Sequence, residues 1–367
     1  MTGSEKISIF SFFSGSGFLD LGFDMANFDI VFVNEFSKEF MNAYQFSRKN
    51  LGIKKPKYGY AQCDVNEFLF EKFDQLKKYI ENEKKNNVVG FIGGPPCPDF
   101  SVAGKQRGKD GDNGKLSLSY VNLIISHSPD FFLFENVKGL WKTAKHREFY
   151  EELKEKLSDA DYMMTERLTN ALEFGVPQDR DRILLFGVKK SFLKDLNKKI
   201  DSFNWNENII YDLQEVKNMP WPSQSPFVAD SDLPCPDNII KKLTVEYWFK
   251  NNDVLNHPNA KDHFIPRSGI SKMETINEGD DSKKSYKRLH RWRFSPTVAY
   301  GNNEVHLHPY KVRRISAAEA LALQTLPKGF CLPPEMSLTN KFKTIGNGVP
   351  FLLSNGVAKT IYNFLKR

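Results

Sequence analysis

The sequence predicts an α/β fold, a mainly parallel sheet with helices on both faces, followed by a smaller and less regular domain. Three observations carry this. Short apolar runs at 7–13, 29–33, 88–92 and 131–134 read as buried strands, and helical patterns separate them. The first run leads through Ser14-Gly15-Ser16-Gly17 into a helix expected over 18–25, the strand–turn–helix unit that cradles a phosphate or cofactor in doubly wound folds. From about Lys189 to Pro309 the rhythm stops: proline and asparagine become frequent, and tryptophans appear singly.

The chain has 367 residues, 40% hydrophobic and 26% charged, enough for a sizeable core and not a disordered composition. No apolar run approaches a membrane span. Residues 1–6 are short and polar, so no signal peptide is expected. Cys63, Cys97, Cys235 and Cys331 lack CxxC spacing, so neither a metal site nor a disulfide framework is expected, and a reducing cytoplasmic setting is. The 52 Lys and Arg against 45 Asp and Glu give a net charge of +7, compatible with a polyanionic partner. Residues 282–294 hold six basic side chains (Lys283, Lys284, Lys287, Arg288, Arg291, Arg293) and no acid, interleaved with Tyr286, His290, Trp292 and Phe294. Cations beside flat rings suit nucleic acid; the alternative is a solvated basic loop.

Along the chain, Gly15 and Gly17 allow close backbone approach, and the helix N-terminus behind them offers free N–H groups. Glu35, at the end of the second strand, is placed to accept from ribose hydroxyls. Asp64 precedes a helix whose stripe is Leu69, Phe73, Leu76 and Ile80; it either caps that helix, reads an adenine amino group, or both. Together these suggest an adenosine-containing cofactor. The strand at 88–92 runs into Gly93-Gly94-Pro95-Pro96-Cys97, where two prolines stiffen the segment that delivers a thiol. Cys97 is either a nucleophile or a small structural hydrophobe. The polar loop 98–115 could close over it.

A helix is expected over 116–125. Glu135 ends the apolar strand 131–134, where desolvation would favour its neutral form unless it reaches solvent. A helix follows around 148–157. In an extended Gln178-Asp179-Arg180-Asp181-Arg182, the amide and both arginines share one face, suiting a polar ligand or an exposed, salt-bridged edge. Ser316 and Glu319 form a capping box for a helix running through Leu323, and the last helix spans 351–365.

Taken together, these stretches resemble the DNA (cytosine-5) methyltransferases of prokaryotic restriction–modification type. The carriers are Phe13-Ser14-Gly15-Ser16-Gly17, Gly93-Gly94-Pro95-Pro96-Cys97, Glu135-Asn136-Val137, Gln178-x-Arg180-x-Arg182, Arg314-x-Ser316-x-x-Glu319 and Gly346-Asn347-Gly348-Val349-Pro350, all in the family's order. Two departures are Pro98, often Gln in the family, and Phe18, often a second Gly.

The resemblance implies a Rossmann-like sheet and S-adenosyl-L-methionine as cofactor, with Phe13, Gly15, Gly17, Phe18, Glu35, Asp64, Pro95 and Asn347 at its pocket. It implies Cys97 as the nucleophile on carbon 6 of cytosine, and Glu135 and Arg182 holding the base with Arg180 and Gln178 assisting. Residues 1–189 would be the catalytic domain and 190–310 the target-recognition domain. Residues 311–367 would carry the late motifs, their last helix returning to the catalytic domain. Double-stranded DNA is the expected partner, met by Lys105, Arg107, Lys109 and Lys115 on the loop and by Lys287, Arg288, Arg291 and Arg293. The chain is expected to act as a monomer in the prokaryotic cytoplasm, nucleoid-associated when bound to DNA, with a cognate restriction endonuclease as a genetic partner. The competing readings are a non-catalytic DNA-binding regulator, a transfer-RNA cytosine methyltransferase and a nicotinamide oxidoreductase. Intact Cys97, Glu135 and Arg182 speak against the first.

Overall fold

The computed structural model describes residues 6–96, 112–266, 269–283, 285–298, 300 and 304–366. Its frame is a seven-stranded sheet of β1 (Lys6–Phe12), β2 (Asp29–Asn34), β3 (Tyr60–Ala61), β4 (Asn87–Gly93), β5 (Phe131–Val137), β6 (Tyr162–Asn170) and, after a short β7 (Gln178–Asp179), β8 (Asp181–Lys189). The strand order is β3-β2-β1-β4-β5-β8-β6. β1 to β5 pair in parallel, whereas β8 runs antiparallel to both β5 and β6.

The period of two along each strand feeds two separate cores. From β1, Ile7 and Ile9 enter one core with Met41 and Tyr44 of α2 (Lys38–Asn50) and Leu353 and Ile361 of α13 (Phe351–Leu365). Phe10 and Phe12 enter the other, with Leu76 of α3 (Phe73–Lys84), Tyr120 of α4 (Asp112–His127) and Leu153 of α6 (Ala144–Asp159). Helices therefore cover both faces, as the alternation of apolar runs predicts. The final helix lies on α1 (Phe18–Asp24), with Ser354 Oγ donating to the Leu19 carbonyl at 2.6 Å and Asn355 Nδ2 to that of Gly22 at 3.0 Å.

After β8 the elements are short: α7 (Lys190–Asp195), α8 (Leu213–Asn218), α9 (Val245–Asn251), α10 (Ile270–Glu274) and β9 (Ser295–Pro296). Regular structure returns with α11 (Ala317–Leu323), whose capping box joins Ser316 and Glu319 as expected, and α12 (Leu338–Asn347). A third core ties this part to the sheet: Phe18 and Leu21 of α1 pack with Val245, Leu289, Leu321 and Ile345. One expectation changes. The single helix after Asp64 is a 3-10 turn at Val65–Leu69, a break at Phe70 and then α3. Among the described residues no helix is long and apolar enough to cross a membrane.

Near the start of β1 and β4, the Glu83 carboxylate accepts from Ser8 Oγ (2.7 Å), Tyr58 OH (2.7 Å), Asn87 Nδ2 (2.8 Å) and Lys57 Nζ (2.6 Å). Burial pushes its carboxyl up, but these donors outweigh it and pull it down to about 2. A depressed folded-state value stabilises above the ordinary 4.5 and loses that contribution as pH falls toward 2. Glu83→Gln is expected to cost about 2 kcal/mol near neutral pH, the figure discounted for the half-exposed Lys57. Urea melts across this range should show the gap to the unaltered protein narrowing with acid.

Candidate active site

The C-terminal edge of the sheet gathers the predicted residues into two adjoining groups. In the first, Phe13 (φ 53), Gly15 (φ 56) and Gly17 (φ 84) take left-handed backbone where β1 turns toward α1. Ser14 N donates to the Asn34 carbonyl at 3.1 Å, which pins the turn to the end of β2. A Cβ on Gly17 would stand 2.6 Å from the Tyr44 ring, whereas one on Gly15 would meet nothing within 4 Å. The turn is therefore packed on one side and open on the other. Glu35 accepts from Gly15 N and from Ser37 N, each at 2.8 Å, so its carboxylate is fixed at this opening. Burial pushes its carboxyl up, against the pull of those N–H groups and of Lys343.

Asp64 accepts from Asn66 N and Nδ2 at 2.8 and 2.9 Å and caps the 3-10 turn. Ser16 Oγ lies 2.7 Å from Thr344 Oγ1, which brings the end of α12 to the glycine turn and leaves Asn347 exposed beside it. Phe18 turns the other way. It is buried, edge-on to Phe330 with ring centroids 5.1 Å apart, and fills the space a side chain on Gly348 would need. Its part is to pack the turn from below rather than to offer a pocket face. Sequence reasoning passed over Phe36, which follows Glu35 and is 72% exposed. A large apolar residue next to a strand-end acid was the available signal.

The second group forms where β4 and β5 end and β8 begins. Because β8 is antiparallel to β5, Arg182 at the beginning of β8 meets the end of β5, in register with Val137. Arg182 Nε lies 2.8 Å from Glu135 Oε1, with both side chains about nine-tenths buried. Burial raises the Glu135 carboxyl above its ordinary value, and the charges of Arg182 and Arg180 only partly offset this. The backbone after β4 passes directly over the pair: a Cβ on Gly94 would sit 2.5 Å from Glu135 Oε2. Asn136 Nδ2 reaches the Pro95 carbonyl at 3.5 Å. The ledge 94–96 thus leads past a buried acid and its guanidinium into Cys97. Cys97 itself lies outside the described residues, as do Lys105, Arg107, Lys109 and Lys284.

Gln178 and Arg180 share the expected face, but both are fully buried and touch the protein's own backbone. Arg180 Nη1 donates to the Val298 carbonyl (2.9 Å), and Nη2 to those of Gly346 (2.7 Å) and Gly348 (3.0 Å). Gln178 Oε1 accepts from Val298 N at 3.2 Å. Through these bonds they position the late turn and the segment after β9, while the buried Arg180 Nε has no hydrogen-bond partner among the described residues. The exposed-edge alternative for this stretch is excluded. Only the aspartates between them meet surface lysines, Asp181 with Lys138 and Asp179 with Lys217.

The basic stretch also needs correction. Arg288 is 1% exposed and donates to the carbonyls of Met273, Ile276, His308 and Lys311. Arg291 is buried against Glu278 at 2.8 Å and Ser231. Arg293 pairs with Asp281 at 3.1 Å. Arg288 and Arg291, expected on phosphates, are internal struts, because a buried guanidinium satisfies its donors inside the fold. Lys115 is described and exposed, and Lys287 is half-buried.

The chain is similar to known proteins over nearly its whole length. The family model for C-5 cytosine-specific DNA methylase matches residues 7–363. The Type II methyltransferase M.NmeDI of Neisseria meningitidis serogroup C is 57% identical over 99% of this chain and 85% of its own length. M.MthTI of Methanothermobacter thermautotrophicus, another Type II methyltransferase, is 30% identical over 97% of both chains. DNMT2 of Spodoptera frugiperda shares the fold at a TM-score of 0.59 and 15% identity, covering 99% of this chain and all of that one.

Arg180→Lys tests the positioning role. A lysine cannot span three carbonyls in two directions, so about 2 kcal/mol of stability is expected to be lost, measured by urea denaturation. An unchanged midpoint would show the tie to be dispensable.

Proposed function

The chain belongs to the C-5 cytosine-specific DNA methylase family and is a DNA (cytosine-5-)-methyltransferase, and from that premise we propose how its residues carry out the transfer. The methyl group passes from S-adenosyl-L-methionine to carbon 5 of a cytosine flipped out of duplex DNA, through a covalent bond between Cys97 and carbon 6. The single observation that carries this is the buried Glu135–Arg182 pair beneath the ledge that leads into Cys97.

The glycine turn fits the cofactor on its own features. Gly15 has open space beside it, Glu35 is held at that opening by backbone N–H groups where ribose hydroxyls would come, and Phe36 offers an exposed flat face next to it. When bound there, S-adenosyl-L-methionine supplies a sulfonium methyl for a carbon nucleophile. Carbon 5 of cytosine is a poor nucleophile until Cys97 adds at carbon 6 and makes it enamine-like. Glu135, held toward its protonated form by burial, donates to ring nitrogen 3 and accepts from the exocyclic amine as charge builds. Arg182 both fixes that carboxyl and holds the carbonyl oxygen of the base. Loss of the carbon 5 proton and expulsion of Cys97 then restore the ring. A stacked base cannot enter such a site, so it must leave the helix.

The short-element region 190–310 is assigned to recognition of the DNA target. The names of the Type II relatives support a role in protecting host DNA beside a cognate endonuclease.

Duplex DNA carrying 5-fluorocytosine at the target should trap a covalent complex, since fluorine cannot leave as a proton. Denaturing gels check this, and Cys97→Ser should abolish the band. Glu135→Gln should bind cofactor normally yet methylate roughly 100-fold more slowly in single-turnover assays. An unchanged rate would remove Glu135 from the chemistry.

A further inference from the structure

On its packed side, the glycine turn rests on a buried cluster of charge. Arg48 of α2 is 2% exposed, and Asp20 of α1 is fully buried. Arg48 Nη1 pairs with Asp24 at the end of α1, and Nη2 donates to the Gly17 carbonyl at 3.3 Å. The guanidinium lies over the Tyr44 ring, 4.8 Å from its centroid. Tyr44 OH donates to Asp20 Oδ2 at 2.9 Å, and Ser11 Oγ, on β1, donates to Oδ1 at 2.8 Å.

Stability does not account for this cluster. Burial pushes both carboxyls up, Asp24 to about 6, against the pull of the Arg48 charge. Arg48 Nε has no hydrogen-bond partner among the described residues, an unmade bond that adds to the cost. Apolar residues of like volume often hold such a space as well or better. What the cluster does reach is the turn. The Gly17 carbonyl accepts from Leu21 N at 3.0 Å, which starts α1, and from Arg48 as well. Gly17 leaves no room for a Cβ against the Tyr44 ring, and that ring is held at its hydroxyl by Asp20. β1, α1 and α2 therefore meet at one carboxylate and one guanidinium, behind the backbone that carries Gly15 at its open side.

We propose that Arg48, acting through the Gly17 carbonyl and the Tyr44 ring, is a positioning residue for the methyl donor, setting the shape of the turn before S-adenosyl-L-methionine arrives. The proposal rests on the methyltransferase reading and adds to it the buried side chains that keep the cofactor turn rigid. A turn already in shape loses little freedom on binding, so loosening it weakens binding and leaves the transfer step alone.

The test compares the unaltered protein with Arg48→Lys and with Arg48→Met paired with Asp24→Asn. The double substitution removes one charge of each sign, so its urea midpoint should stay close to that of the unaltered protein. Its calorimetric affinity for S-adenosylhomocysteine should fall about tenfold. Arg48→Lys keeps the charge but cannot reach Gly17 and Asp24 together, so a loss of about threefold is expected. KM for S-adenosyl-L-methionine should rise in step, with kcat and the KM for DNA unchanged. In the cofactor-free protein, hydrogen exchange of the amides at 13–18 should quicken roughly tenfold while β4 and β5 exchange as before. Unchanged affinity in a folded variant, or unchanged exchange at the turn, would overturn the proposal. Faster exchange throughout the sheet would overturn it too, since Arg48 would then support the whole fold. If the double variant does not fold, Arg48→Lys decides by the same measurements. Should the unaltered protein bind no S-adenosylhomocysteine, the reading of function fails instead, and exchange at 13–18 still judges the brace.

Discussion

A carboxyl and a guanidinium held together out of water set the terms for the rest of the molecule. Neither Glu135 nor Arg182 could be buried alone without a large penalty. Their meeting depends on one reversed strand. Glu135 lies near the end of β5 and Arg182 at the start of β8, and only antiparallel pairing brings an end and a start to the same edge. With a parallel strand there, the arginine would lie at the opposite edge of the sheet. The reversal of β8 is thus the feature of topology on which the site depends.

The two neighbouring groups then follow from short chain segments. Gly94 permits the backbone to pass within contact of the Glu135 carboxyl, and the prolines after it limit where the chain can go next. Arg180 ties the Gly346–Gly348 turn to Val298. Through Ser16 and Thr344 that late turn touches the glycine turn of β1. The glycine turn, the acid–arginine pair and the short elements after β8 are therefore one connected body. A third core running from Phe18 to Leu321 and Ile345 gives it apolar support.

Much of this was legible in the residues. The positions of β1, β2, β4 and β5, the capping box at Ser316 and the place of Glu35 at the end of β2 follow from local pattern, because burial on a sheet favours apolar runs and helix ends need caps, whereas β6 left no such mark. The resemblance of ordered motifs named the family. What local pattern could not convey was the direction in which a polar side chain spends its donors. Arg180, Arg288 and Arg291 read as ligands for phosphate or base, yet each finds carbonyls or a carboxylate supplied by distant parts of the chain. The break at Phe70 belongs to the same class: the apolar stripe continued while the backbone did not.

The central claim is that Glu135 and Arg182 together surround one extrahelical cytosine. The most direct measurement is a crystal structure of the protein with S-adenosylhomocysteine and cognate duplex. The account predicts one cytosine outside the helix, its ring nitrogen 3 and amine at hydrogen-bond distance from Glu135 and its carbonyl oxygen at Arg182, with the Cys97 sulfur facing carbon 6. A cytosine still stacked in the duplex, or an extruded one held by other side chains with the Glu135–Arg182 pair closed against it, would contradict it.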